Sequence, residues 1–304
     1  MNTKKKLLLS TLAALMLGLT GCQSSITVNP DNKQSVVVPK SPNKVVVMNY
    51  GALDTLDALG KGSIVIGTPL SVLPSYLEQY KSTRITDTGN MKEPNIDAIK
   101  QAKPQLIIID GRQASRTEQL SKIAPVINLS VDAKNYLEST KNHINVLANI
   151  TGTEEKARNL IQSLDVKVTN AQAVAKASHK KAIVAIHNDG KMILINGSSS
   201  AALIHDVLKV KRAVPLAPKP TNGKPKPTFI DNSYISRVKP DIIYVVDRSK
   251  AIGQSAMKNS YFNPALLAKS KTEVIYLTPD LWYLSGGGAE SLDRQIDEVI
   301  NALK

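Results

Sequence analysis

Along this chain, short apolar runs alternate with stretches whose apolar positions recur every three to four residues. Residues 44–48 (Lys-Val-Val-Val-Met) read as a buried strand, and residues 52–59 as a helix stopped by Gly60. Residues 64–67 predict a second strand, and 96–99 fall on a helix that ends at Lys103-Pro104. Residues 106–109 (Leu-Ile-Ile-Ile) and 126–129 predict a third and fourth strand. Alternation at this spacing predicts an α/β lobe with a mostly parallel sheet. The period then changes. From 153 to about 178 no Gly or Pro interrupts, and Ala157, Leu160, Ile161, Leu164, Val168, Ala171 and Val174 follow helical spacing. Thr153 and the acids after it supply a helix-start signal. Such a helix spans close to ~40 Å at 1.5 Å per residue, which suits a strut between lobes. Beyond it, 182–186 and 192–195 flank Asn188-Asp189-Gly190, a hairpin signal. Residues 202–210 read as helix, 241–246 and 273–277 as strands, and Gly286-Gly287-Gly288 opens a final helix. The expected fold class is α/β, with two α/β lobes joined by a single long backbone helix. The lobes are expected at 44–150 and 180–304, with the helix at 151–179.

The first 21 residues change the compartment. Lys4 to Lys6 precede an apolar run from Leu7 to Leu19, followed by Thr20-Gly21-Cys22. That is the layout of a secretory signal peptide, and the run is shorter than the roughly 20 residues of a spanning helix. Leu19-Thr20-Gly21-Cys22 resembles the bacterial lipobox, which implies lipid attachment at Cys22. Cys22 is the only cysteine in the chain, so acylation explains it and thiolate chemistry in the mature body is excluded. The protein is expected to be exported and lipid-anchored to the cell membrane, facing the periplasm or cell exterior. Residues 22–43 are polar enough to read as anchor and tether.

Charge narrows the partners. The formal net charge is +14, and the leader carries three lysines and no acid, which leaves +11 on the mature protein. Nucleic acid is the first partner such a charge suggests, but an exported protein meets little of it. The densest basic stretch, Lys209 to Arg212 with Lys219, Lys224 and Lys226, is interrupted by Pro215, Pro218, Pro220 and Pro225. It reads as a solvated loop. No nucleic-acid partner is expected; an anionic small molecule or an acidic membrane surface fits better. The chain carries no Gly-x-Ser-x-Gly elbow, His-Glu-x-x-His run or phosphate-binding Gly-x-x-x-x-Gly-Lys-Ser/Thr loop, so an enzyme is not expected. The Gly286–Gly288 run could hold a phosphate at a helix start. Four scattered histidines argue against a bare metal ion.

Several blocks together resemble a known family. They are Lys44-Val-Val-Val-Met-Asn-Tyr-Gly-Ala-Leu-Asp-Thr-Leu-Asp-Ala-Leu-Gly60, Gly89-Asn-Met-Lys-Glu-Pro-Asn-Ile-Asp-Ala-Ile99 and Lys103-Pro-Gln-Leu-Ile-Ile-Ile109. Lys239-Pro-Asp-Ile-Ile-Tyr-Val-Val-Asp-Arg248 and Leu281-Trp-Tyr-Leu-Ser-Gly-Gly-Gly288 complete the set, in the family's order. The chain resembles the siderophore-binding lipoproteins of iron ABC importers, periplasmic binding proteins with a helical backbone, of the ferric catecholate type. The resemblance implies a monomer that captures a ferric siderophore in a cleft between its lobes and delivers it to an ABC permease for iron uptake. Haem or cobalamin is the alternative cargo, since a fold does not choose its ligand; an exported enzyme ranks below both.

Within that expectation Arg112 and Arg248 each follow a strand, where ligands of parallel sheets sit. A guanidinium stays charged, offers five donors and stacks on aromatic rings. Arg116 is expected to be an ordinary surface residue. Trp282 and Tyr283 are expected at the rim. A phenolate is a hard donor for Fe(III), and the resemblance implies that a tyrosine here can ligate iron left open by the siderophore. The chain departs from the family at two positions: Asn222 stands where a histidine is usual, and Ser200 where a third arginine is usual. Lys224 and Lys226 are expected to restore the lost charge. Glu93 matches an acid that docks the permease, with Asp231, beside Ser233, its counterpart in the other lobe. Of the histidines, His205 is expected in a structural role, His143 and His179 exposed, and His187 off the cleft.

Overall fold

Two parallel sheets, one in each lobe, carry the alternating pattern. The computed structural model describes residues 24–30, 35–216 and 226–304; the leader, Cys22, Asn222 and Lys224 lie outside the described residues. β1 (Ser25–Val28) and β2 (Val36–Pro39) pair antiparallel. In the first lobe β3 (Val45–Val47), β4 (Val65–Thr68), β5 (Thr86–Asp87), β6 (Leu106–Ile109) and β7 (Val126–Asn128) form a parallel sheet. Its order is β5-β4-β3-β6-β7. The second lobe contains β8 (Lys181–Asn188), β9 (Lys191–Leu194), β10 (Lys211–Arg212), β11 (Ile242–Asp247) and β12 (Glu273–Leu277). Here β10-β8-β11-β12 run parallel and β9 returns antiparallel along β8.

Every residue of β6 and β11 is buried, as helices covering both faces of a parallel sheet require. The same device feeds both strands. Lys103 and Lys239 each adopt a left-handed conformation at φ 50° as they cap a helix, and Pro104 and Pro240 follow, where a helix cannot continue. So the two lobes place Arg112 and Arg248 alike, each just past a central strand.

The lobes are joined by the 25-residue helix Glu154–Ser178, about 37 Å long at 1.5 Å per residue. It buries Ala157, Leu164, Val168, Ala171 and Ala175, one stripe of its surface. Lys167 braces it to the last helix, Ala289–Asn301, with Nζ 2.7 Å from Asp293 and 2.8 Å from Asp297.

Three expectations are corrected. Residues 25–39, read as part of a polar tether, include the β1–β2 pair, whose Val28 and Val38 enter the main core. The signal is the short Ile26-x-Val28 and Val36-x-Val38 alternation, and Asn142 Nδ2 fastens the end of β1 through the carbonyls of Asn29 and Pro30. His143, expected exposed, is buried on the helix Tyr136–Thr151; that helix packs against both Tyr50–Ala58 and Glu154–Ser178, leaving little of it for water. The stretch expected as helix over 202–210 is π-helical over Ala202–Val207, entered from one turn at Ser199–Ala201. Its His205 is buried with Nδ1 2.8 Å from Val210 O, and burial pushes its pKa down to about 4.

A second seam joins the lobes. The helix Ala289–Asn301 is tied to the second sheet where Tyr244 Oη donates to Val299 O at 3.1 Å. Its N-terminus is buried against the first lobe's helix Tyr50–Ala58. There Asp54 accepts from Glu290 N (3.2 Å), Ser291 N (3.1 Å) and Tyr76 Oη (3.0 Å), and Thr55 Oγ1 accepts from Ala289 N (3.0 Å). The helix's unpaired amides and positive dipole end are thus satisfied by a carboxylate from the opposite lobe. Gly51 lets the backbones meet: a Cβ there would overlap Gly286 O and Gly288 N, and one at Gly288 would overlap the Asp54 carboxylate. The glycine run is therefore a close-packing device whose helix amides are already used, not a phosphate site.

Burial pushes the Asp54 carboxyl up to about 7, although hydrogen bonds from Ser291, Tyr76 and Glu290 pull the other way. A carboxyl with a raised folded pKa adds stability that is fully present below its unfolded value near ~4 and is lost as pH rises to about 7. Over that window this group should lower unfolding free energy by up to ~1.4 kcal/mol per pH unit. Asp54→Asn should flatten the slope in urea unfolding between pH 4 and 8; an unchanged slope would refute the assignment. Gly51→Ala should cost about 1–3 kcal/mol in the same assay, the range for overpacking.

Candidate ligand-binding site

The carboxyl ends of both sheets open on one cleft of about 440 Å³, lined from the first lobe by Arg112 and Val131 and from the second by Ile186, Ser200 and Tyr283. Past β6, Asp110 caps the short turn Gly111–Arg116: its side chain accepts from Arg112 N at 2.6 Å, and its own amide donates to Gln113 Oε1 at 2.9 Å. This reciprocal cap aims the Arg112 side chain across the cleft. Its guanidinium donates to Asp110 Oδ2 at 2.9 Å and, across to the other lobe, to the Tyr283 carbonyl at 2.7 Å.

Past β11, Arg248 opens the short helix Arg248–Ala251. Its Nε donates to Tyr283 Oη at 2.8 Å and its Nη1 to Asn188 Oδ1. Tyr283 ends the helix Pro279–Tyr283. The guanidinium carbons of Arg112 and Arg248 lie 5.6 and 5.4 Å from its ring centroid, within cation–π range. One arginine from each lobe therefore converges on one aromatic ring. Asp110 offsets Arg112, whereas the hydrogen-bond partners of Arg248 are both neutral. The ring is flanked by cationic donors, an environment suited to an anion with flat aromatic groups.

Behind Arg248 the end of the second sheet is locked. Asp247 Oδ1 lies 2.8 Å from His187 Nδ1, and its two oxygens accept from Lys250 N (3.0 Å) and Met257 N (2.8 Å). Burial raises its carboxyl pKa, but the hydrogen bonds from Met257, His187 and Lys250 outweigh burial and hold it below the usual range. His187 Nε2 accepts from Gly190 N at 3.2 Å, so both ring nitrogens are used within the protein.

Trp282, expected at the rim, is only 4% exposed, and its Nε1 donates to Glu298 Oε2 at 2.9 Å. It still borders the cleft, but as packed wall; neighbouring residues on a short helix point different ways, and here Tyr283 takes the cleft and Trp282 the core. Ser200 lines the cleft with a short hydroxyl where the resemblance expects arginine. Asn222 lies outside the described residues; Lys226, Arg116 and His179 are exposed. Glu93 is exposed and precedes the helix Ile96–Ala102. Asp231 is exposed and caps the equivalent helix Asn232–Val238; hydrogen bonds from Tyr234 N and Ser233 Oγ hold its carboxyl below the usual range. Sequence reasoning missed Asn188, visible only as part of a turn, and Asp110, whose Asp-x-x-Gln spacing to Gln113 is a capping-box signal. Among the described residues no three His, Cys, Asp or Glu side chains group to hold a metal ion, and no helix is long and apolar enough to cross a membrane.

The chain is similar in sequence and fold to known proteins. The petrobactin-binding protein YclQ of Bacillus subtilis is 35% identical over 315 residues, covering 98% of each chain. Its crystal structure superposes with a TM-score of 0.84 at 38% identity, covering 92% of this chain and 99% of that one. The ferric-anguibactin-binding protein FatB of Vibrio anguillarum is 28% identical over 307 residues, 94% of each chain. The siderophore-binding protein BauB, solved with two acinetobactin molecules and ferric iron, matches with a TM-score of 0.81 at 27% identity, covering 92% of this chain and 99% of that one. These relatives are binding proteins rather than enzymes. The model of the periplasmic binding protein family matches residues 45–281, and this chain belongs to that family.

Proposed function

We propose that this protein is an exported, lipid-anchored binding protein that captures an anionic ferric siderophore, of catecholate type, and delivers it to an ABC permease. The observation that carries the reading is the pair Arg112 and Arg248, one from each lobe, meeting at the Tyr283 ring. Iron coordinated by catecholates is an anion walled by flat rings. Guanidiniums can donate to its oxygens and stack on those rings at once. Relatives whose names state binding of petrobactin, of ferric anguibactin, or of acinetobactin with ferric iron support the cargo class.

In this reading the iron arrives fully coordinated and is held by charge and stacking. Tyr283 Oη already accepts from Arg248, and Ser200 supplies no third arginine. In this reading lipid attachment at Cys22 rests on the lipobox pattern, and monomeric action on the family resemblance. Glu93 and Asp231 serve permease docking in the same reading: each is exposed, and each stands before the helix that leads into a central strand, β6 or β11.

Trp282 is the only tryptophan, so its fluorescence reports the cleft wall. Titration with ferric catecholate, hydroxamate and citrate-type complexes, haem and cobalamin should give strongest quenching at lowest concentration with the catecholate. Quenching by haem or cobalamin with no response to any ferric siderophore would overturn the cargo. Charge-assisted hydrogen bonds are worth about 1.5–3 kcal/mol each, so Arg112→Ala with Arg248→Ala should weaken binding by about 100-fold or more; unchanged affinity would remove the site. Tyr283→Phe keeps the ring and should cost less than about tenfold, with no shift in the ferric charge-transfer band. A shifted band would mean that the phenol ligates iron.

A further inference from the structure

A second depression, of about 810 Å³, lies behind Arg248 in the second lobe. It is walled by the β8–β9 turn at Asn188 to Gly190 and by the 253–261 loop, with Gln254, Ser255, Lys258 and Ser260 along that loop. Ile186 and Val246 line the central cleft, while their neighbours His187 and, two residues past Val246, Arg248 line this depression. Arg248 stands between the two spaces. Its Nε faces Tyr283 Oη on the cleft side, and its Nη1 meets Asn188 Oδ1 on the other.

Hydrogen bonds within the lobe tie the walls of the depression together. One carboxylate, Asp247, ties the turn through His187 and the loop through Met257 N. Ser249 Oγ accepts from Asp189 N at 2.9 Å, and Gln254 N donates to Ser249 O at 2.8 Å. Tyr261 Oη accepts from Met192 N at 3.0 Å and donates to Ile230 O at 3.1 Å. A space held open this way requires no ordering when a ligand enters, which preserves affinity. Its lining is polar, with Arg248 and Lys258 as cations and Asp189 as the acid on the rim. No hydrogen bond or ion pair among the described residues engages the side chains of Gln254, Ser255, Lys258 or Ser260, all of them exposed.

We propose that this depression is a second ligand subsite, which takes a carboxylate-bearing arm of the siderophore while the iron-bearing end occupies the central cleft. The proposal rests on the ferric-siderophore reading above. The arm passes Arg248, which contacts both parts of the ligand, and its carboxylate is met by Lys258 and the loop hydroxyls. Ligands with such an arm gain affinity over compact ferric catecholates that fill the cleft alone.

The test is a matched pair of ferric biscatecholate chelates, one with a free carboxylate on its linker and the other with that group amidated. Each is titrated into the whole mature protein and followed by Trp282 fluorescence. Wild type should bind the carboxylate form about tenfold tighter. Lys258→Ala should bring the ratio near one while leaving affinity for the amide form unchanged, and Ser255→Phe, which obstructs the space without adding a second tryptophan, should do the same. Equal wild-type affinity for the two chelates overturns the subsite alone. So does a ratio that survives both substitutions. Failure of both chelates to bind overturns the ferric-siderophore reading and this inference with it.

Discussion

The carboxylate of Asp54, buried in the first lobe, holds the N-terminus of a helix that belongs to the second. Much of the remaining architecture depends on that contact. A helix start has unpaired amides and a positive dipole end, so it cannot be buried without an acceptor. Asp54 supplies one, Thr55 another, and the glycines at 51 and 286–288 remove the side chains that would keep the two backbones apart. The preceding segment of the second lobe, Trp282 to Gly286, is thereby positioned over the first lobe's sheet end, and the cleft lies between them.

Two connections of different kind therefore set the relation of the lobes. The helix Glu154–Ser178 is a continuous strut, stiff along its length, and Lys167 braces it to the final helix. The Asp54 seam is a packed contact near the cleft. With both present, large opening would require breaking buried hydrogen bonds to a carboxylate, so recognition falls to a largely preformed surface. That suits the rest of the site, where Asp110 fixes Arg112 and Tyr283 and Asn188 hold Arg248 before any ligand arrives. Preorganised donors lose less on binding than flexible ones.

The likeness of the two lobes is visible at the level of single residues. Lys103-Pro104 and Lys239-Pro240 end a helix in the same left-handed cap, the strands that follow are wholly buried, and an arginine comes just after each. The lobes diverge in what surrounds that arginine. Arg112 leans on an acid of its own lobe, whereas Arg248 is held by neutral partners and borders a second polar depression. The cationic character of the site is thus greater on the second lobe's side.

The sequence by itself determined the fold class and the order of the main strands and helices. It also marked Arg112 and Arg248 as positions just past a buried strand, because local periodicity and the end of such a strand are written in consecutive residues. The expectation of export and lipid attachment rests on the sequence alone, in the leader and Cys22. The β1–β2 pair was hard to read because each strand has four residues and only tertiary packing gives Val28 and Val38 something to bury against. Only the tertiary structure decided that Trp282 is wall and Tyr283 is site, since adjacent residues on a short helix differ by what lies opposite them. Only it showed that Gly286–Gly288 serves an inter-lobe contact, because the partner, Asp54, stands more than two hundred residues away in the chain. The same holds for Asn188, whose role beside Arg248 depends on the pairing of β8 with β11 and on nothing in its own neighbourhood.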